Sequence, residues 1–230
     1  MYYVNKGIIN PLKGKKTTNL YEKYSNIELN NLDKSTNWNH LTNQIILMGT
    51  STGGPGALQT VLTKLPESIR APIVIVQHMP PGFTKSLANR LNSLSEITVK
   101  EAVDGEILQN GTAYIAPGGY HLKMRPFSTK VFVQLDKTNK ECIHCPSVDL
   151  LFESATSLKE YGKIVVVMTG MGSDGSRGLI TLKNSDQVKA IAQSKESCIV
   201  YGMPKAAIAT NLIDDIENVE NIAETILKYL

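Results

Sequence analysis

From Gln44 onward one texture repeats: a short apolar, β-branched run, a turn punctuated by Gly or Pro, then a stretch with helical spacing. Runs that are apolar at every position must be covered on both faces. The alternation therefore predicts an α/β fold, with a doubly wound, mostly parallel sheet flanked by helices. Candidate strands are 45–48, 73–77, 98–102, 113–116, 163–168 and 189–192, and candidate helices are 55–65, 84–94, 147–158, 178–184, 204–209 and 219–229. Residues 131–135 follow the 127–130 loop with no helix-length segment between, so they are assigned to a small antiparallel hairpin or an edge strand.

Residues 1–40 have a different character. They hold eight Asn, show no sustained hydrophobic period, and carry six Lys against Glu22, Glu28 and Asp33. This segment reads as a polar, flexible tail, and residues 41–230 as one catalytic domain. A hydrophobic fraction of 42% with 20% charged residues is that of a folded globular chain. The net charge of +3, spread along the sequence, suggests neither nucleic acid nor an anionic membrane as partner.

The longest unbroken apolar run, 164–168, is far short of the roughly 20 residues of a membrane helix, and the N-terminus lacks a signal-peptide core. A cytoplasmic protein that is not inserted in a membrane is expected. Three cysteines, Cys142, Cys145 and Cys198, form no disulfide framework and suit a reducing compartment.

Three strand ends carry the chemistry. Gly49-Thr50-Ser51-Thr52-Gly53 fits G-x-S-x-G between a strand and a helix, where glycines permit a tight elbow that lifts the Ser51 hydroxyl clear of the sheet. Alone, this segment is equally compatible with a phosphate-binding turn or a plain turn. In "PIVIVQHMPPGF", a buried strand delivers His78 at its carboxyl end, and Pro80 and Pro81 stop the chain from continuing. In "KIVVVMTGMGSDGSRG", another such strand ends in a glycine loop that carries Asp174.

The carboxyl ends of parallel strands line the crevice of an open α/β sheet. There Ser51, His78 and Asp174 can act as nucleophile, base and orienting acid. Their order in the chain, Ser-His-Asp, differs from the order in α/β-hydrolases.

The segments "GTSTGGPGAL", "IVIVQHMPPGFTKSLANRLN", "AYIAPGGYHL", "PSVDLLFESA", "VVMTGMGSDGSRGL" and "AQSKESCIVYGMPKAAI" occur in this order over 44–209. Together they resemble the catalytic domain of the chemotaxis protein-glutamate methylesterases, the CheB family. The resemblance implies hydrolysis of glutamate methyl esters on the cytoplasmic helices of methyl-accepting chemoreceptors, with release of methanol and deamidation of receptor glutamines as a second activity. It assigns Ser51 as nucleophile, His78 as base and Asp174 as orienting acid, with the backbone N–H groups of Thr52 and Met171 forming the oxyanion hole. It implies no metal and no organic cofactor. A monomer is expected. The competing readings keep the same triad for another ester or amide outside chemotaxis, or make the glycine turn a non-catalytic phosphate-binding module.

The family's full-length enzyme carries an N-terminal receiver domain, which the residues before Gln44 are too few to hold. The expectation is an enzyme without phosphorylation control in cis, either constitutively active or controlled by something else. Two further departures are "KNSDQVKAIAQ", where the family often has glycines, and Cys145, where it often has Arg before "PSVD".

The remaining candidates have plainer readings. Cys142-x-x-Cys145 with His144 lacks the second matching ligand pair of a zinc site. Cys198 reads as a buried small side chain. His121, the competitor of His78 for the base, reads as a structural or substrate-side residue, and His40 belongs to the tail. Met79, Met171 and Met203 flank the strand-end loops.

Overall fold

In the computed structural model, which describes residues 43–137, 145–185 and 187–230, seven parallel strands form one sheet. They are β1 (Asn43–Thr50), β2 (Ile73–Gln77), β3 (Thr98–Glu101), β4 (Thr112–Ile115), β7 (Tyr161–Val167), β8 (Val188–Gln193) and β9 (Asp215–Glu217), in the order β3-β4-β2-β1-β7-β8-β9. An antiparallel hairpin, β5 (Tyr120–Phe127) and β6 (Lys130–Lys137), stands apart from it.

The two-residue period of the strands divides the core. Ile46, Met48, Ile73, Ile75, Ile164 and Val166 face one layer, which holds α1 (Gly54–Leu62), α2 (Phe83–Asn92) and α6 (Ile222–Lys228). Ile45, Leu47, Val74, Val76, Val165 and Val167 face the other, which holds α3 (Val148–Ser154), α4 (Ser176–Ser185), α5 (Met203–Ile208) and the hairpin. Covering both faces is what makes the central strands continuously apolar.

The strand order sets the position of the crevice. From β1 the chain passes to β2, then to β3 at the sheet edge and back to β4 between them, before it crosses to lay β7 on the opposite side of β1. The β1/β7 boundary is thus a topological switch point, where the connections leave in opposite directions and open a cleft at the carboxyl ends.

Three details differ from the sequence reading. The helix expected over 147–158 ends at Ser154 and tightens into a 3-10 turn, Ala155–Ser157. There Ser154, Thr156 and Ser157 donate their hydroxyls to carbonyls three residues back, which competes with continued α-helix. Strand β5 is missing from the expected strands because Lys123, Arg125 and Pro126 interrupt its apolar pattern, and Pro126 is tolerated in a two-stranded ribbon. Strand β9 has three residues, too few to show a period. No helix among the described residues is long and apolar enough to cross a membrane. The tail reading of 1–40, His40, and the Cys142 and His144 members of the cysteine cluster lie outside the described residues.

Candidate active site

Ser51, His78 and the loop bearing Asp174 follow directly on three adjacent strands, β1, β2 and β7. The parallel ladder runs slightly past the strands. Ser51 N–H donates to the Thr169 carbonyl at 3.0 Å, His78 N–H to the Thr50 carbonyl at 3.1 Å, and Met168 N–H to the Gly49 carbonyl at 2.9 Å. Ser51 is half-buried and stands against Gly170. A Cβ on Gly170 would lie 2.8 Å from the Ser51 Cβ and 2.4 Å from the Met203 Sδ, so only glycine lets the β7 loop approach the serine.

His78 and Asp174 are in direct contact, Nε2 to Oδ2 at 2.8 Å, with side chains 13% and 6% exposed. The carboxylate sits at the start of α3. It accepts from Val148 N–H at 2.7 Å, from Asp149 N–H at 2.9 Å and from the Ser147 hydroxyl at 3.1 Å. Burial alone would raise its pKa, but the bonds from His78, Asp149 and Val148 outweigh burial and hold the Asp174 carboxyl at about 2. An ionised carboxylate can only accept, so the proton in this contact belongs to His78 Nε2.

The arrangement is reciprocal. Asp149, in the first turn of α3, accepts from Gly175 N–H and Gly178 N–H at 2.8 Å each, at the start of α4. Each aspartate thus satisfies the free N–H groups that open the other's helix. Burial raises the Asp149 pKa, the N–H bonds from Gly178 and Gly175 lower it, and Arg177 stands 3.5 Å away.

Asp174 pairs with His78, not with His121. His121 lies on β5, is 7% exposed, and has its pKa lowered by burial and by Lys123. Burial also pushes the Cys198 thiol up to about 11, which leaves it protonated and unreactive at neutral pH. Cys145 is half-buried, and among the described residues no group of His, Cys, Asp or Glu could hold a metal ion.

Thr52 and Met171 are both exposed, and among the described residues neither backbone N–H donates a hydrogen bond. The peptide after Thr52 is held by a side chain from the loop that follows β7. Thr169 Oγ1 donates to the Thr52 carbonyl at 2.9 Å, and Thr169 N–H donates to Gln193 Oε1 at 2.8 Å. Gln193 and Thr169 are 1% exposed, and Gln77, at the end of β2, is 2% exposed. Sequence reasoning gave no role to these three residues or to Asp149. The available signal was a polar residue closing an apolar strand, as in "IVIVQ", "AIAQ" and "VVVMT".

The family model described as CheB methylesterase matches residues 46–226. The Halalkalibacterium halodurans protein named protein-glutamate methylesterase/protein-glutamine glutaminase is 57% identical over 184 residues, which is 80% of this chain and 53% of that one. The Bacillus subtilis protein of the same name is 55% identical over 183 residues, 80% of this chain and 51% of that one. The chain therefore spans about half the length of the curated relatives it matches. The crystal structure of the Thermotoga maritima CheB methylesterase catalytic domain is similar with a TM-score of 0.78 at 43% identity, over 82% of this chain and 100% of that chain.

Proposed function

We propose, since the chain belongs to the CheB methylesterase family, that it is a serine hydrolase that demethylates glutamate methyl esters on the cytoplasmic helices of chemoreceptors. Methanol is one product, and deamidation of glutamine is a second activity of the same site. The single observation that carries this reading is the His78 Nε2–Asp174 Oδ2 bond at the carboxyl ends of strands adjacent to the one that delivers Ser51.

Asp174 fixes the tautomer. With the Nε2 proton committed to the carboxylate, Nδ1 is the ring nitrogen that serves as base. His78 takes the Ser51 proton as Oγ attacks the ester carbonyl. The charge that develops on the carbonyl oxygen is met by the N–H groups of Thr52 and Met171, which donate no hydrogen bond among the described residues and so are left for it. Collapse of the tetrahedral intermediate expels methanol, which receives the proton from His78. Water, deprotonated by His78, then hydrolyses the acyl-enzyme and regenerates Ser51. With a glutamine substrate the leaving group is ammonia and the other steps are unchanged. Asp174, ionised throughout, stabilises the imidazolium that forms in each half-reaction.

The test is methanol release from membranes containing methylated chemoreceptors, with Ser51→Ala as the comparison. Release by the unaltered chain and a loss of about 10³-fold or more in the variant is expected. Equal release by both, or none from a chain that folds, would overturn the reading.

A further inference from the structure

Gln77 closes β2 immediately before His78, and its amide is buried beneath the floor of the crevice. Its Nε2 donates to the Ser51 carbonyl at 3.0 Å and to the His78 carbonyl at 3.0 Å. Its Oε1 accepts from the Thr50 hydroxyl at 3.2 Å. One planar group thus bridges the two residues read as nucleophile and base, and the two carbonyls, which can only accept, set which end of the amide faces them. The chain conforms to it: a Cβ on Gly54 would lie 1.9 Å from Gln77 Oε1 and 2.0 Å from Thr50 Oγ1. The first residue of α1 must therefore be glycine if the amide is to stay.

We infer that Gln77 is a positioning residue for catalysis, tying the backbone of Ser51 to that of His78 so that hydroxyl and imidazole keep one relative placement. This rests on the reading of Ser51 as nucleophile and His78 as base. The ladder holds the two residues through their N–H groups, Ser51 to Thr169 and His78 to Thr50, but neither bond joins Ser51 to His78. The two-pronged donor of Gln77 supplies that link. His78 is held on its other side by Asp174, so the tie acts on the Ser51–His78 relationship and not on the His78–Asp174 bond.

The experiment compares the unaltered chain with Gln77→Met, which has a similar length and no donors. The readouts are kcat and KM for methanol release, the rate at which a serine-directed phosphonate labels Ser51, and the proton resonance of His78 Nε2–H. The expected result is a fall of about 10- to 100-fold in kcat and in the labelling rate, the cost of misplacing reacting groups by about 1 Å. KM stays within about threefold, since the bridge does not touch substrate. The His78 Nε2–H resonance persists. Gln77→Glu, which keeps the shape and replaces the NH2 by an acceptor oxygen, gives the same pattern if Gln77→Met does not fold.

A folded variant with kcat and labelling within about twofold of the unaltered chain would overturn the inference. Loss of the His78 resonance together with activity would do so too, because it would mark a collapse of the whole site. Failure of the unaltered chain to be labelled at Ser51 would overturn the underlying reading instead.

Discussion

The two ends of the same sheet bury polar side chains to the same degree and to different effect. At the carboxyl end, Thr50, Gln77, Thr169 and Gln193 are at most 2% exposed, and their hydrogen bonds lead to Ser51, Thr52 and His78. Near the amino end of β7, Lys163 is fully buried and donates its ammonium to the Leu158 carbonyl, in the turn that leads into β7. Both ends obey the rule that a buried polar group needs a partner. They differ in what the partner does. The bonds at one end hold the groups proposed to react; the bond at the other joins Lys163 to a turn carbonyl that also accepts from Tyr161 N–H. Burial and hydrogen bonding alone therefore do not mark function: what the bonds hold does.

The largest effect is expected at Asp174. Asp174→Asn should lower kcat about 10³- to 10⁴-fold, because the amide no longer fixes the His78 tautomer or stabilises its charged form. The same residue makes stability depend on pH. Its folded pKa of about 2 lies below the ordinary 3.8, so its contribution is full above about pH 4 and is lost as pH falls toward 2. The shift corresponds to about 2 kcal/mol. Thermal unfolding should show Asp174→Asn less stable than the unaltered chain at pH 6, with the gap closing near pH 2. A gap that is the same at both pH values would break the assignment.

A smaller loss is expected at Asp149, which holds the Asp174 loop without touching His78. Asp149→Ala leaves Gly175 N–H and Gly178 N–H without their acceptor and should cost about 10- to 100-fold in kcat, with KM little changed. The smallest effect belongs to the other end of the sheet. Lys163→Met removes a buried charge and fills the same volume, so methanol release should stay within about twofold while the unfolding temperature moves in either direction. A loss at Lys163 as large as that at Asp149 would erase the contrast between the two ends.

Much of this was legible in the sequence because the strands are short, continuously apolar and sharply punctuated. Ser51, His78 and Asp174 stand out as the polar residues that follow β1, β2 and β7 at Gly or Pro turns. The structure brings His78 and Asp174 into contact and sets Ser51 on the adjacent strand. The supporting residues were hidden for a physical reason. Gln77 and Gln193 sit inside the strands they end, and each has a backbone partner far along the chain, the Ser51 carbonyl 26 residues away and the Thr169 N–H 24 residues away, which no local pattern reports. Asp149 looks like ordinary first-turn helix chemistry, and only the fold shows that it serves the start of α4, beside Asp174. The hairpin strand β5 was missed because a ribbon exposed on one side tolerates Lys, Arg and Pro where a central strand does not.

The measurement that bears most directly on the carboxyl end of the sheet is intact-mass analysis after treatment with a serine-directed phosphonate, followed by mapping of the modified peptide. One adduct per chain, located on Ser51 and formed at least about 100-fold more slowly in His78→Ala, is the expected result. An adduct on another serine, or equal labelling of Ser51 with and without His78, would contradict a nucleophile activated by that histidine.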